Sequence, residues 1–98
     1  MTTLSAKLTF YIPYSQSLKD KRMVSRSLID RVRHKYNASI SEVDNQDSRQ
    51  TLSLGVAVIS GSAAHAREML NNITRYMETS TDAELMSVEE ADESYINI

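Results

Sequence analysis

Hydrophobic and polar residues alternate along two stretches of the chain. In the first, the apolar positions are Leu4, Ala6, Leu8, Phe10 and Ile12. In the second they are Leu52, Leu54, Val56 and Val58. A period of two is typical of a β-strand that is buried on one face and open on the other. The pattern therefore predicts two such strands.

Two other segments have the spacing of an amphipathic helix. Ser17 followed by Asp20 has the form of a capping box, with Asp in place of the usual Glu, and predicts a helix from about Leu18 to about Lys35. Its apolar stripe is Leu18, Val24, Leu28, Ile29, Val32 and Tyr36. Gly61 and Ser62 precede a second segment of helical spacing, which predicts a helix from Ala63 to Met77.

The remaining segments complete a known arrangement. Ala38 to Val43 and Ala83 to Glu89 are predicted strands, the first followed by a polar turn at 44–48, and residues from about 90 to 98 are predicted to be a flexible acidic tail. The order strand, helix, strand, strand, helix, strand predicts an α+β, ferredoxin-like βαββαβ domain over residues 1–98. In that fold one antiparallel sheet carries two helices on one face.

Composition narrows the class of protein. The 98 residues include no cysteine, so disulfides, thiolate metal sites and catalytic thiols are excluded. The N-terminus lacks a charged start followed by an apolar run, and no stretch reaches the ~18 apolar residues that would span a bilayer. We therefore expect a cytoplasmic protein that has no signal peptide and does not bind membranes.

Charge is distributed unevenly along the chain. Between Ser17 and Lys35 there are seven basic and two acidic residues, whereas from Glu78 onward there are seven acidic residues and no Lys or Arg. On the first helix, one stripe opposite the apolar face contains Lys19, Arg22, Arg26 and Arg33. Such a stripe suits phosphate oxygens, although an ordinary solvated helix face has the same pattern. Lys21 instead falls among the apolar positions, where it either extends past the core edge or reaches a carboxylate.

Catalytic and metal sites find little support in the sequence. The group Glu42, Asp44, Gln46 and Asp47 has oxygen ligands suited to Mg²⁺ or Ca²⁺, but turn chemistry and a salt bridge to the basic helix explain it better. His34 and His65 have no recognisable nucleophile or orienting partner. No nucleophile elbow or phosphate-binding loop is present. We therefore predict no metal, no cofactor and no enzymatic activity.

Three segments carry a family resemblance. Ser17 to Arg22 reads SLKDKR, Ser41 to Asp47 reads SEVDNQD, and Leu54 to Val58 reads LGVAV. With these segments the chain resembles the YlxP-like family of uncharacterised small bacterial proteins over nearly its whole length. The resemblance implies a ferredoxin-like fold, and genes that in many bacteria lie beside translation-initiation and ribosome-maturation genes. It implies no established activity.

The chain departs from that family at the predicted hairpin. Relatives commonly carry a Leu-Trp pair after the hairpin Gln-Asp, where this chain has Ser48 and Arg49, and Gln50 still fits the pattern. Arg49 favours an anionic contact over an apolar one at this point.

Two functions from different classes follow as predictions. The first is a non-enzymatic accessory factor that binds RNA or a ribonucleoprotein particle, with anion-binding residues Lys19, Lys21, Arg22, Arg26, Arg33 and Arg49 and a polar partner site at Glu42, Asp44, Gln46, Asp47 and Gln50. The alternative is a homodimeric interaction module without a nucleic-acid role. It would associate through edge strands or through the open sheet face, where Thr51, Ser53, Gly55 and Ala57 are small and only Tyr11 could stack on a base.

Overall fold

The computed structural model describes residues 1–91 and the backbone of residues 94–95. Its elements are β1 (Thr2–Tyr11), α1 (Leu18–Lys35), β2 (Ser39–Asp44), β3 (Thr51–Ser60), α2 (Ala63–Thr79), β4 (Glu84–Glu90) and β5 (Ser94–Tyr95). This order confirms the predicted βαββαβ fold, to which the two-residue β5 is added.

The sheet is antiparallel, with strand order β2-β3-β1-β4. β1 pairs with β3 along its whole length, from Thr2 opposite Ser60 to Tyr11 opposite Thr51. On its other side β1 pairs with β4, with a bulge between Thr9 and Phe10, and its first residues pair with β5. β2 and β4 are therefore the two edges of the sheet.

The core lies between the sheet and the two helices. The alternating apolar residues of β1 and β3 face inward, and Leu8, Phe10, Leu52 and Leu54 are fully buried there. The helices contribute Leu28 and Val32 from α1 and Ala66, Leu70, Ile73 and Met77 from α2. Because every second residue of β1 points away from this core, the opposite face of the sheet stays open.

The start of α1 forms one half of the predicted capping box, because the Asp20 carboxylate bonds Gln16 N instead of the Ser17 N–H that the motif would use. Ser17 Oγ accepts a hydrogen bond from Asp20 N at 3.1 Å, and Asp20 Oδ2 accepts one from Gln16 N at 3.0 Å. The buried face of the helix differs from the predicted stripe, because it contains Lys21 and Ser25 beside Leu28 and Val32. Val24, Ile29 and Tyr36, part of the predicted stripe, are half-buried at its margins.

Part of the C-terminal segment pairs with the sheet. Glu90 ends β4 instead of starting a tail, and the backbone of 94–95 pairs with Thr2 and Thr3 of β1. The rest of the predicted tail, residues 92–93 and 96–98, lies outside the described residues.

Candidate anion-binding surface on the first helix

The basic stripe of α1 is exposed and borders edge strand β2. Lys19, Arg22 and Arg26 are all exposed, and within residues 1–91 none of them forms an ion pair. A shallow depression of about 290 Å³ lies between this stripe and β2. Its lining consists of Arg22, Ser25, Arg26, Ile29, Asp30, Arg33 and Glu42. The fold thus brings three of the predicted anion-binding arginines to one surface, here called the basic groove.

Arg33 is held in place at the far end of the basic groove. Its Nη2 donates a hydrogen bond to Ile40 O in β2 at 3.1 Å, while the side chain stays exposed. A guanidinium has five N–H donors, so this bond leaves others for a ligand. Arg49 is also exposed, but it lies in the β2–β3 hairpin and does not line the basic groove.

Lys21 was wrongly predicted to bind an external anion. Its side chain is 1% exposed, and its Nζ donates to the carbonyl oxygens of Asn45 at 2.7 Å and Gln46 at 3.2 Å. A third carbonyl, Thr51 O, lies at 3.4 Å, and the carboxylate of Glu42 at 3.9 Å. Lys21 therefore reaches a carboxylate, which is one of the two outcomes expected from its position. Its ammonium group is buried against internal partners and does not contact an external anion.

The predicted polar partner site is divided between the two faces of the sheet. Glu42 faces Lys21 on the helix side, whereas Asp44 Oδ2 lies 3.4 Å from Lys7 Nζ on the open face. Gln46 and Asp47 are exposed at the hairpin turn. These carboxylates therefore diverge. Among the described residues, no group of three or more His, Cys, Asp or Glu could hold a metal ion. The favoured interpretation, turn chemistry with a salt bridge to the basic helix, agrees with this geometry.

Lys7 and Asp44 influence each other's protonation. The pKa of Asp44 lies below its ordinary value, first because its carboxylate accepts a hydrogen bond from Asn45 N and second because Lys7 is close. The pKa of Lys7 is raised, mainly by Glu89 at 3.3 Å and then by Asp44. Both groups are therefore charged at neutral pH. On the open face, Lys7 lies between the carboxylates of Asp44 and Glu89.

A network around Ser15 and Gln50 joins the β1–α1 loop to the β2–β3 hairpin. Ser15 is buried, and its Oγ lies 2.6 Å from Arg49 O. Gln50 Nε2 donates to Pro13 O and Ser15 O, each at 3.3 Å, and Gln50 O accepts from Ile12 N. Gln50 thus has a structural role. Ser15 was not predicted as part of a site, because a buried serine in a loop has no periodic signal in the sequence.

The open face of the sheet holds a larger, shallow depression of about 530 Å³. Ser5, Ser39, Ser41, Gly55 and Ala57 line it with small side chains, together with Lys7, Val43 and Glu89 at its margins. Val43 covers Gly55 so closely that a Cβ added to Gly55 would lie 2.7 Å from Val43 Cγ1. Gly55 is therefore needed for this close approach.

Two further observations concern function. His34 and His65 are exposed side chains on α1 and α2. No helix among the described residues is long and apolar enough to cross a bilayer.

Comparison with known proteins identifies the family and the fold. The chain is 35% identical over 68 residues to the uncharacterised protein YlxP of Bacillus subtilis (strain 168), which covers 69% of this chain and 74% of the relative. A de novo designed protein with a ferredoxin fold, solved by NMR, matches 93% of this chain and 84% of its own with a TM-score of 0.57 at 17% identity.

That structural likeness shows the fold alone, and it confirms the predicted ferredoxin-like architecture. Residues 3–90 match the family model described as a protein of unknown function, DUF503, which names no catalytic activity. On this match and on the likeness to YlxP, the chain belongs to the DUF503 family, as the three sequence segments indicated.

Proposed function

We propose that the protein is a non-enzymatic accessory factor that binds RNA, or the RNA surface of a ribonucleoprotein particle, through the basic groove. One observation carries the proposal. Lys19, Arg22 and Arg26 lie exposed along one side of a rigid helix with no ion pair inside the described chain. An unpaired row of cations costs electrostatic repulsion, which an anionic ligand relieves.

The spacing of these cations suits a phosphate backbone. At 1.5 Å rise per residue, Lys19 and Arg26 are separated by about 10 Å along α1, and Arg33 follows after about another 10 Å. A linear ligand with regularly spaced charges can contact all three. A small anion would contact one or two of them.

The surface is equipped for contacts to phosphates more than to bases. Among the described side chains, none that lines the basic groove is aromatic, and the exposed aromatics Tyr11 and Tyr14 lie elsewhere. Sequence-specific RNA modules stack unpaired bases on aromatic side chains. We therefore infer binding that depends on charge and backbone shape, in keeping with the translation-related gene neighbourhood that the family resemblance implied.

Charge reversal in the basic groove tests the proposal. We expect the wild-type chain to co-sediment with bacterial ribosomal subunits at low salt, and the Arg22→Glu, Arg26→Glu variant to lose on the order of tenfold in affinity. A plot of log affinity against log salt has a negative slope, and the magnitude of that slope should decrease by roughly 1.5 in the variant. Each lost phosphate contact reduces the magnitude by about 0.7–0.9. Sedimentation at several salt concentrations measures both quantities.

The matched control reverses two arginines outside the groove. Arg31 and Arg75 are exposed, and the Arg31→Glu, Arg75→Glu variant has the same net charge as the groove variant. Association that falls equally in both variants would show that overall charge, and not the basic groove, attracts the particle. Absence of association by the wild-type chain at low salt would refute the proposal.

The open-face depression favours a second candidate, a homodimer that packs sheet against sheet. Small side chains at Ser5, Ser39 and Ala57 permit close approach of a second backbone, and Val43 in the lining is about half exposed. The row formed by Asp44, Lys7 and Glu89 would lie opposite the same row of the second copy. Acids and bases could then pair across a two-fold axis.

Light scattering tests this candidate. If the face dimerises, the wild-type chain should show twice its monomer mass at high concentration, and Ala57→Lys should restore the monomer by inserting a charge into the depression. Glu68→Lys on the exposed surface of α2 is the control and should leave the dimer intact. A wild-type chain that stays monomeric at millimolar concentration would exclude the candidate.

A further inference from the structure

Among the described residues, no segment pairs with the outer side of edge strand β4. In the sheet order β2-β3-β1-β4, β4 pairs on one side with β1 and lies at the opposite edge from the basic groove. Within residues 1–91, its outward backbone groups receive no hydrogen bond from another segment. An extended edge of this kind is a template for pairing with another strand.

The register shows which backbone groups are available. Ser5 O accepts a hydrogen bond from Ala91 N. The odd-numbered residues of this part of β1 therefore direct their backbone N–H and C=O groups toward β4. Their partners Ser87 and Glu89 are therefore bonded inward, and the intervening Val88 and Glu90 direct N–H and C=O outward. Two donors and two acceptors thus point away from the sheet at ladder spacing.

The side chains of β4 specify the chemistry of a partner strand. Met86 and Val88 are 62% and 41% exposed, so their apolar side chains are accessible to a strand added at this edge. Asp82, Glu84, Glu89 and Glu90 surround them, and within residues 1–91 these carboxylates form two ion pairs, Glu89 with Lys7 and Glu90 with Arg67. The edge is therefore apolar at its centre and acidic around it.

The two edges of the sheet differ in how accessible they are to an added strand. Both edge strands carry a register shift, but at β2 Arg33 also covers the outward carbonyl of Ile40. That carbonyl is therefore not available to an added strand. A second copy pairing through β4 itself would bring glutamates opposite glutamates, which repel each other.

We propose that β4 binds an extended, lysine- or arginine-rich polypeptide segment by strand addition, with alternate apolar residues of that segment resting on Met86 and Val88. Backbone bonds to Val88 and Glu90 supply the pairing, and the surrounding carboxylates select a basic sequence. This strand addition is distinct from the proposed RNA contact, which lies near the opposite edge of the sheet. Each proposal can therefore be refuted without the other.

Amide hydrogen exchange with a defined probe tests the inference. The probe is an end-blocked peptide of alternating lysine and valine, matched in length to β4. At saturation, exchange at Val88 and Glu90 should slow about tenfold or more, while Ser87 and Glu89, already bonded to β1, should change little. This alternation separates strand addition from diffuse electrostatic attraction.

Matched peptides and variants decide the outcome. A peptide with its central valine replaced by proline keeps the charge and should bind at least tenfold more weakly; equal binding would overturn the inference.

Glu84→Lys should weaken binding several-fold, whereas Glu68→Lys on α2 should not. Val88→Pro should abolish binding of the peptide. If that variant does not fold, the comparison of Glu84→Lys with Glu68→Lys tests the inference, and equal binding by these two variants would overturn it. Slowed exchange at Val88 in concentrated protein without peptide would show that a second copy occupies the edge, against the inference.

Discussion

Replacing Lys21 with methionine should lower the free energy of unfolding by about 3 kcal/mol or more. The methionine fills much of the same volume but leaves the carbonyls of Asn45, Gln46 and Thr51 without their shared donor. Because the Nζ lies 2.7 Å from Asn45 O and 3.9 Å from Glu42, the carbonyl bonds should account for most of this loss.

Urea denaturation measures the effect, and Lys19→Met provides the control. Lys19 is two residues earlier on the same helix and exposed, so its replacement should change stability by less than about 0.5 kcal/mol. The double variant Lys21→Met, Glu42→Leu should keep most of the Lys21→Met loss, since it restores no donor to the hairpin. A Lys21→Met loss below 1 kcal/mol would show that water replaces the ammonium group at the carbonyls.

The elements of this fold were predictable where two signals agreed. α1 begins at Leu18 and ends at Lys35 as predicted, because the capping box at Ser17 and the helical periodicity define the same segment. β1 and β3 followed from strict alternation. β4 has an irregular apolar pattern because it is an edge with a bulge, and the sequence could not show that its outward backbone groups receive no hydrogen bond within residues 1–91.

The candidate site was predictable only in part, for a specific reason. Helical spacing places Arg22, Arg26 and Arg33 on one side of α1, and the structure agrees. Spacing alone did not reveal that Lys21 would find backbone carbonyls, since these come from a hairpin 24 to 30 residues away. Asn45, which adopts φ 57° at the turn, helps to present them. Two of the segments that carry the family resemblance, SLKDKR and SEVDNQD, thus contact each other in a structural network.

Glu42 belongs both to that network and to the basic groove, so its neutralisation should have opposite effects on stability and binding. Its carboxylate is 3.9 Å from Lys21, and it also lines the groove with Arg22 and Arg26. Glu42→Gln should lower the free energy of unfolding by about 1 kcal/mol, because the buried ammonium loses its carboxylate. It should raise the affinity for RNA about threefold, because a negative charge beside the phosphates is removed.

Asp47→Asn is the matched control, since it removes one exposed acid from the same hairpin outside the groove. It should leave stability unchanged and should raise affinity less than Glu42→Gln does. Sedimentation with ribosomal subunits and urea denaturation give the two readouts on the same samples. A fall in affinity with Glu42→Gln would mean that Glu42 positions the groove for its ligand, and the binding site would then include the structural network as well as the basic stripe.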